Sequence, residues 1–223
     1  MSGYEDYWSY TNVEAGRGGV LSVNNYNGNL VFTQPVTIDA GGSLMPVNLS
    51  VILNANGVLA PHGHLSNFVQ TNYHIYVRYD ETTAEHGFKY FLNDADGTRH
   101  WFYFEENSNS GKDEDGLGYT LEVTPSVSET DGVNTRYTIT DKDKNKMYFN
   151  GLGNLTKITN AVGNSVTVQY ETAGGAPRMK TIKDGAGRTY TFGYNASNPT
   201  LCQSITDPAG RKTIFDYYQG TLT

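Results

Sequence analysis

The sequence is poor in the residues on which many enzymes and disulfide-linked secreted domains depend. Among 223 residues there are one cysteine, five histidines and seven prolines. Cys202 has no second cysteine to pair with and no histidine near it in the sequence, so we interpret it as a small packing residue and not as a nucleophile. Charged residues make up 17% and the net charge is −7. This balance argues against a nucleic-acid surface, because phosphate binding needs clustered Lys and Arg.

Several sequence motifs of catalytic and ligand-binding sites are also missing. The sequence has no Gly-x-Ser-x-Gly elbow, phosphate-binding loop, dinucleotide fingerprint or His-Glu-x-x-His motif. The Pro-His-Gly-His segment at 61–64 offers only two ligands, whereas a zinc site needs three or four. The acidic stretch at 141–145 lacks the Gly and Glu that an EF-hand needs at its sixth and twelfth positions, and both this stretch and 94–97 fall on repeat turns, which explains their acidic residues without an ion. We therefore predict no enzyme, no metal and no cofactor.

Membrane and export signals are absent as well. No apolar run approaches the roughly 18 residues of a membrane span, and the N-terminus has no basic start followed by an apolar segment. We predict neither membrane insertion nor a nucleic-acid partner.

What the sequence does contain is typical of strands and tight turns. Gly occurs 25 times and Tyr 17 times, and Thr, Val and Asn are frequent. Apolar residues at helical spacing are missing over any window of a dozen residues. The fold class we predict is all-β, an antiparallel sheet of successive β-hairpins that is elongated or curved, with very little helix.

A repeat organises the second half of the chain. Its clean copies begin at Ile158, Ile182 and Ile205, which are 24 and 23 residues apart. Each copy has Asp or Asn at +2, Gly at +5, Asn or Arg at +6, Val or Phe at +10 and Tyr at +12. The predicted turn residues are Asn160, Gly163, Asp184, Gly187, Asp207 and Gly210. The predicted core residues are Val168, Tyr170, Phe192, Tyr194, Phe215 and Tyr217. Degenerate copies begin at Leu92 and Ile139, the second with Lys144 in place of the glycine.

Each copy has the features of a β-hairpin. The Asp or Asn side chain can bond backbone amides of the turn, and the glycine accepts the positive φ that reverses the chain. Positions +10 and +12 share one face of the second strand, which should be the more buried face. Because one hairpin is marginal in water, the copies should stack side by side into a continuous sheet.

From these sequence patterns we predict that the chain has four parts. Residues 1–17 are a lead-in along the sheet edge, and 18–124 are a β-region that leads into the array. Residues 125–135 are a loop, which is the best candidate boundary if the chain has two lobes, and 136–223 are the hairpin repeats. Within the second part, 72–79 is predicted as a strand with His74 and Arg78 on a wet face. The polar segment 107–116 is predicted as an exposed loop.

Several motifs together resemble the bacterial RHS proteins, also called YD-repeat proteins. They are the Asp-x-x-Gly-Arg hairpins, the segment from Tyr148 to Thr156, the passage from Asp113 to Leu121, and Gly19 to Val23 followed by Asn27 to Val31. The resemblance implies a non-catalytic segment of a secreted or cell-surface protein whose hairpins form a β-shell around a C-terminal toxin. It also implies that the partners are the rest of the parent polypeptide and its effector domain, and that an export signal lies outside this chain.

The alternative is a carbohydrate-binding or adhesin-like module. It would use exposed aromatic rings, with Trp8, Trp101 and Tyr103 as candidates for stacking on sugars. Exposure or burial of Trp101 and Tyr103 distinguishes the two hypotheses. We also predict an unpaired strand edge near residues 212–218, which favours self-association by strand addition.

Overall fold

The computed structural model describes residues 9–36, 42–55, 69–130, 132–199, 201–218 and 221–222. Within these ranges the protein is all-β, as predicted, with one helix of four residues. Five strands form a first antiparallel sheet in sequence order. They are β1 (Tyr10–Gly16), β2 (Gly19–Asn24), β3 (Leu30–Pro35), β4 (Ser50–Asn54) and β5 (Val69–Thr71).

Thirteen strands form the second sheet, also antiparallel and in sequence order. They are β6 (Tyr76–Tyr79), β7 (Phe88–Asn93), β8 (Arg99–Phe104), β9 (Ser110–Asp113), β10 (Thr120–Val123), β11 (Thr135–Thr140), β12 (Lys146–Asn150), β13 (Leu155–Thr159), β14 (Ser165–Ala173), β15 (Ala176–Lys183), β16 (Thr189–Tyr194), β17 (Cys202–Thr206) and β18 (Lys212–Ile214). Helix α1 (Glu81–Ala84) lies between β6 and β7, and β19 (Tyr217–Tyr218) pairs with β20 (Thr221–Leu222). The sheet therefore grows by adding each hairpin to the one before it.

One type of turn closes six hairpins of this sheet. In each, the side-chain Oδ1 of the first residue accepts the backbone N–H of the residue four further on, at 2.8 to 3.2 Å. The residue three further on donates its N–H to the backbone carbonyl of the first. The first residues are Asp94, Asp141, Asn150, Asn160, Asp184 and Asp207. The turn thus explains why the repeat requires Asp or Asn, and it includes both degenerate copies.

The predicted positive φ of the repeat glycines is confirmed. Gly163, Gly187 and Gly210 have φ of 92°, 81° and 82°. Lys144 occupies the same position in its turn and has φ of 68° despite its side chain. The turn therefore imposes the left-handed conformation even where the sequence supplies no glycine.

The burial of the repeat face also follows the prediction. Val168, Phe192 and Phe215 are 4%, 6% and 7% exposed. The tyrosines two residues after them, Tyr170, Tyr194 and Tyr217, are partly buried against the same hydrophobic core.

A β-bulge repeats with the same period and was not predicted. One extra residue, at Thr156, Lys180 and Gln203, interrupts the register of β13, β15 and β17 against the preceding strand. The bulges at Lys180 and Gln203 lie in the strands opposite Tyr170 and Tyr194, so they leave the parity of each tyrosine's own strand intact. The Tyr194 hydroxyl donates to the carbonyl of Met179 just before one bulge, and the Tyr217 hydroxyl donates to that of Cys202 just before the next.

The large sheet curves until its first strand meets the turn between β12 and β13. The N–H of Val77 donates to the carbonyl of Gly153 at 2.9 Å, and Tyr76 forms a bridge with Asn154. Gly153 has φ of 74°, and a Cβ atom there would lie 2.0 Å from the Val77 carbonyl oxygen. Only glycine fits this approach, which lies inside the segment from Tyr148 to Thr156.

The first sheet and the chain after it contribute to the same core. Val47, Leu49 and Val51 belong to one hydrophobic cluster with residues from β6 through β17. Polar contacts also connect the two parts, since Gln70 donates to the carbonyl of Ala95 at 2.6 Å and the N–H of Gly185 donates to the carbonyl of Met45 at 3.0 Å.

The four parts expected from the sequence do not correspond to separate sheets. The lead-in contains β1, which pairs with β2. Strands β10 and β11 pair across the loop at 125–135, so the large sheet runs through it without a break.

Two local predictions were wrong. The strand expected over 72–79 begins only at Tyr76, because residues 71–74 form a turn in which the His74 ring lies 2.7 Å from the Thr71 hydroxyl. His74 is 7% exposed and does not lie on a wet face. The segment 107–116, predicted as an exposed loop, contains β9, which pairs with β8 and β10 because its backbone completes both ladders despite the polar side chains.

Candidate functional site

The repeat wall is the first candidate site, and its turns are held by charge as well as by backbone bonds. In the last two copies Arg188 Nε contacts Asp184 Oδ2, and Arg211 Nε contacts Asp207 Oδ2, both at 2.6 Å. Burial alone would raise the pKa of Asp184, but the bonds from Arg188 and from two backbone N–H groups outweigh it and lower that pKa. The Arg at +6 therefore neutralises a nearly buried carboxylate within its own turn.

Cys202 lies in this wall as a packing residue. It is 1% exposed, and burial raises the pKa of its thiol to about 12. A thiol in this environment is not activated as a nucleophile.

A second candidate is a polar cluster under the turn between β7 and β8. His100 Nδ1 lies 2.7 Å from Asp115 Oδ2, and its Nε2 lies 3.0 Å from Asp94 Oδ2. Burial would lower the pKa of His100, but the hydrogen bonds and charges of the two carboxylates outweigh it and raise that pKa. Burial and the neighbouring Asp94 raise the pKa of Asp96 to about 6. Both shifts favour the protonated form, so His100 and Asp96 hold their protons to higher pH than the same groups do in water.

A third candidate is a cleft beside the contact between β6 and Gly153. Its volume is about 1090 Å³. The lining includes Val77, Arg78, Tyr79, Glu81, Tyr90, Glu129, Gly132, Val133, Tyr137, Asn150, Leu152, Tyr170, Glu171 and Pro177. These residues come from six strands, from α1 and from loops, so the curvature of the sheet creates the cleft.

The aromatic residues predicted for sugar stacking lie elsewhere. Trp101 is partly buried and packs on Phe91, with ring centroids 5.0 Å apart. Tyr103 is 49% exposed and its ring stands edge-on to Phe88 at 5.5 Å. Trp8 and the two histidines of 61–64 lie outside the described residues. The burial criterion gives a divided answer, because one ring is partly covered and the other half exposed.

Sequence reasoning missed the cleft and the His100 cluster for different reasons. The cleft residues extend from Val77 to Pro177 and share no motif, so the sequence offered no signal for them. Arg78 was wrongly expected on a wet face; it is half-buried and donates to the carbonyls of Val77 and Leu152. The His100 cluster had a signal, since Asp94 and Asp96 flank a repeat turn six and four residues before a histidine.

No three or more His, Cys, Asp or Glu side chains among the described residues are placed to hold a metal ion together. In the same part of the chain, no helix is long and apolar enough to cross a membrane. No protein-family model matches this chain, and no curated protein sequence matches it significantly.

Proposed function

We propose that this chain is a non-catalytic structural segment of a secreted or cell-surface protein of the RHS/YD-repeat type. Its role is to contribute part of a β-shell that encloses a C-terminal toxin or effector domain of the same polypeptide. The observation that carries the proposal is the thirteen-stranded sheet in strict sequence order, whose hairpins reuse one turn.

The construction of the sheet supports a wall-forming role. Each added hairpin uses its Asp or Asn to hold its own turn, so the turn is stabilised by residues of the same copy. The bulges at Thr156, Lys180 and Gln203 recur once per repeat, and bulges increase strand bending and twist. A curved wall of indefinite length follows from repeating such a unit.

The outer edge of β18 is the strand edge to which a further hairpin would pair. β18 pairs only with β17 among the described strands. The N–H of Phe215 donates to the carbonyl of Gln203, so by alternation the backbone groups of Lys212 and Ile214 point away from β17. Ile214 is 61% exposed, which fits a strand position that a further hairpin would cover.

The proposal is tested with the parent polypeptide and its coding sequence. We expect further copies of the 23- or 24-residue repeat after Thr223, followed by a domain unrelated to the repeats. In the intact polypeptide that domain should resist limited proteolysis, and the same domain expressed alone should be digested. A parent sequence without further repeats, or an effector equally sensitive in both forms, contradicts the proposal.

Amide hydrogen exchange provides a second test. In this chain the amides of Lys212 and Ile214 should exchange rapidly, and in a chain extended by one repeat they should become protected. The amide of Phe215, already bonded to β17, is the internal control. Unchanged exchange of Lys212 and Ile214 after extension would show that no strand adds to this edge.

A further inference from the structure

The outer edge of β13 is shared by two strands that then diverge. At one end, residues 157–159 pair with β14. At the other end the carbonyl of Asn154 accepts a bond from Asn150 on the β12 side, so by alternation Leu155 faces the side of β14. There the N–H of Leu155 donates to the carbonyl of Ile75 at 3.4 Å, which brings β6 and not β14 against this end of β13. The cleft lies where β6 and β14 separate.

β14 continues well past the end of its pairing with β13. It pairs with β13 only from Ser165 to Thr167, but it pairs with β15 as far as Ala173. No other described strand pairs with the outer side of its last residues. The part of the hairpin beyond β13 supplies all the cleft residues that come from β14, β15 and their turn, which are Tyr170, Glu171, Thr172, Gly175 and Pro177. The cleft is therefore lined by an unpaired strand edge.

The backbone groups on this edge belong to Tyr170 and Thr172. The turn at residues 174–175 has two glycines with φ of 60° and 80°, as two-residue hairpin turns require. The residues that flank such a turn bond each other, so by alternation Thr172 and Tyr170 direct their N–H and C=O groups away from β15. Pro177, which has no N–H, lies opposite Thr172, where no bond across the hairpin is needed. Each of the two edge residues thus offers one donor and one acceptor to a further strand.

The opposite wall of the cleft offers an aromatic ring. The N–H of Val77 points outward from β6 to Gly153, so Tyr79, two residues later, faces the same side beyond that contact. The Tyr79 ring is 50% exposed and stands edge-on to the Tyr90 ring, with centroids 5.3 Å apart. A chain in the cleft can therefore pair with one wall and pack its side chains on the other.

The rim of the cleft is acidic. Glu81 is exposed and forms no ion pair among the described residues, and the side chain of Glu129 is 72% exposed although it lies 3.3 Å from Arg136. Arg78 is the one cationic residue in the described lining, and it already donates to the carbonyls of Val77 and Leu152. The rim therefore favours a basic partner over an acidic one.

We propose that this cleft binds an extended peptide with Lys or Arg side chains, which adds as a strand to the outer edge of β14 at Tyr170 and Thr172. Main-chain bonds supply the affinity, and the carboxylates of Glu81 and Glu129 supply the preference for a basic sequence. The cleft volume of about 1090 Å³ is above the ~300–1,000 Å³ typical of small-ligand sites, which suits a peptide. A second copy of this chain, with a net charge of −7, is a poorer match to the acidic rim.

This inference is independent of the shell proposal, because the edge of β14 is not the β18 edge at which the wall would continue. The probe is the peptide acetyl-Thr-Lys-Val-Lys-Val-Thr-amide. One comparison peptide has Glu in place of both Lys residues, and another has a methyl group on every backbone nitrogen. Calorimetry measures binding to the full chain, and amide hydrogen exchange followed by NMR locates it.

We expect the Lys peptide to bind and to protect the amides of Tyr170 and Thr172 from exchange. The amide of Glu171, which alternation directs towards β15, is the internal control and should stay as it was. The Glu peptide should bind more weakly, because it meets the acidic rim. The methylated peptide should not bind, because it has no backbone donors for the edge.

Two variants with matched controls test the edge and the rim separately. Thr172→Pro removes one outward N–H and should weaken binding of the Lys peptide by about tenfold, whereas Ile214→Pro, which removes an outward N–H on β18, should not change it. Glu81→Gln should weaken binding by about threefold, whereas Glu85→Gln, exposed just after α1 but outside the cleft, should not. Circular dichroism verifies that each variant is folded.

Several results overturn the proposal. Failure of the Lys peptide to bind at millimolar concentration does so, and so does equal binding of the methylated peptide, since then no strand is added. Both of these tests use the unaltered protein and do not depend on a variant folding. Equal or tighter binding of the Glu peptide contradicts the basic partner. If the amides of Tyr170 and Thr172 become protected as protein concentration rises without peptide, a second copy occupies the edge instead.

Discussion

At the scale of single residues, the repeat places at each turn the residue types that stabilise a left-handed backbone conformation. The carboxylate or amide at the start of each turn bonds the backbone N–H four residues later, and the residue between them adopts positive φ. For residues other than glycine this left-handed conformation costs roughly 1–2 kcal/mol. Lys144 is the one place among the six turns where the chain bears that cost.

We expect Lys144→Gly to raise the free energy of unfolding by about 1 kcal/mol, because it removes the strain of φ 68° at an exposed position. The reciprocal change Gly187→Lys should lower the free energy of unfolding by a similar amount, since nothing lies within 4 Å of a Cβ atom at Gly187. Urea denaturation of both variants measures the two effects. A loss of stability in Lys144→Gly would mean that the Lys144 side chain contributes contacts that outweigh the strain.

The tyrosine at +12 of the last two copies donates a hydrogen bond from its hydroxyl to a backbone carbonyl beside a bulge. Tyr194 donates to the Met179 carbonyl beside the bulge at Lys180, and burial raises the pKa of its phenol. Tyr194→Phe should therefore destabilise the protein by about 1 kcal/mol, the usual net worth of a hydrogen bond. Tyr103→Phe, at a half-exposed ring on β8, is the control and should change stability by less. Equal effects in the two variants would show that the bond to the bulge contributes nothing specific.

At the scale of elements, the sequence predicted the hairpins well and their surroundings poorly. The period revealed turns, parity and the buried face, because these follow from positions +2, +5, +10 and +12 within one copy. It did not reveal the bulges at Thr156, Lys180 and Gln203, because an unpaired residue depends on the register with the preceding strand. It also did not predict β9, because the residues of this strand are polar and backbone pairing with β8 and β10 holds them in the sheet. The cleft was beyond prediction, since its walls meet only when the sheet curves.

The contact between β6 and the β12–β13 turn is the place where the first strand of the curved sheet meets a later hairpin. We expect Gly153→Ala to destabilise the protein by roughly 3 kcal/mol or more, because the new Cβ atom meets the Val77 carbonyl oxygen at 2.0 Å and φ is also positive. Gly163→Ala is the matched control. Gly163 has φ of 92° with no atom within 4 Å, so it should lose only about 1 kcal/mol.

Thermal and urea denaturation measure both glycine variants. If the two changes cost the same, the approach of β6 to Gly153 adds nothing to stability beyond the φ requirement.

At the scale of the whole molecule, the His100 cluster lies within the large sheet beside the turn that the first sheet contacts, and we expect it to make stability sensitive to pH. The turn that carries Asp94 and Asp96 is also contacted by the first sheet, through the bond from Gln70 to the Ala95 carbonyl. The groups packed together there are Asp94, Asp96, His100 and Asp115, with the Tyr119 ring edge-on to His100 at 6.5 Å. Protonation at this point therefore acts on the region where the first sheet meets the large one.

The direction of the pH effect follows from the shifted pKa values. Asp96 has a pKa raised from 3.8 to about 6, so between these values the folded protein binds a proton that the unfolded chain releases. His100 has a pKa raised above 6.5, so it also binds its proton more tightly in the folded state. Both shifts stabilise the fold at low pH, and this stabilisation is lost as pH rises. Asp94 has a lowered pKa and acts in the opposite direction only below about pH 4.

We therefore expect the free energy of unfolding to fall between pH 4.5 and pH 8, with a contribution from Asp96 on the order of 2 kcal/mol below pH 6. Asp96→Asn, which keeps the shape without the ionisation, should remove that part of the slope and leave the part above pH 6 that His100 provides. Urea denaturation at pH 4.5, 6 and 8 measures both. The wild-type and variant curves share the general repulsion of an acidic chain, so their difference isolates Asp96. A stability that rises from pH 4.5 to 8, or a variant that retains the full slope below pH 6, would mean that Asp96 titrates in the folded protein as it does in the unfolded chain.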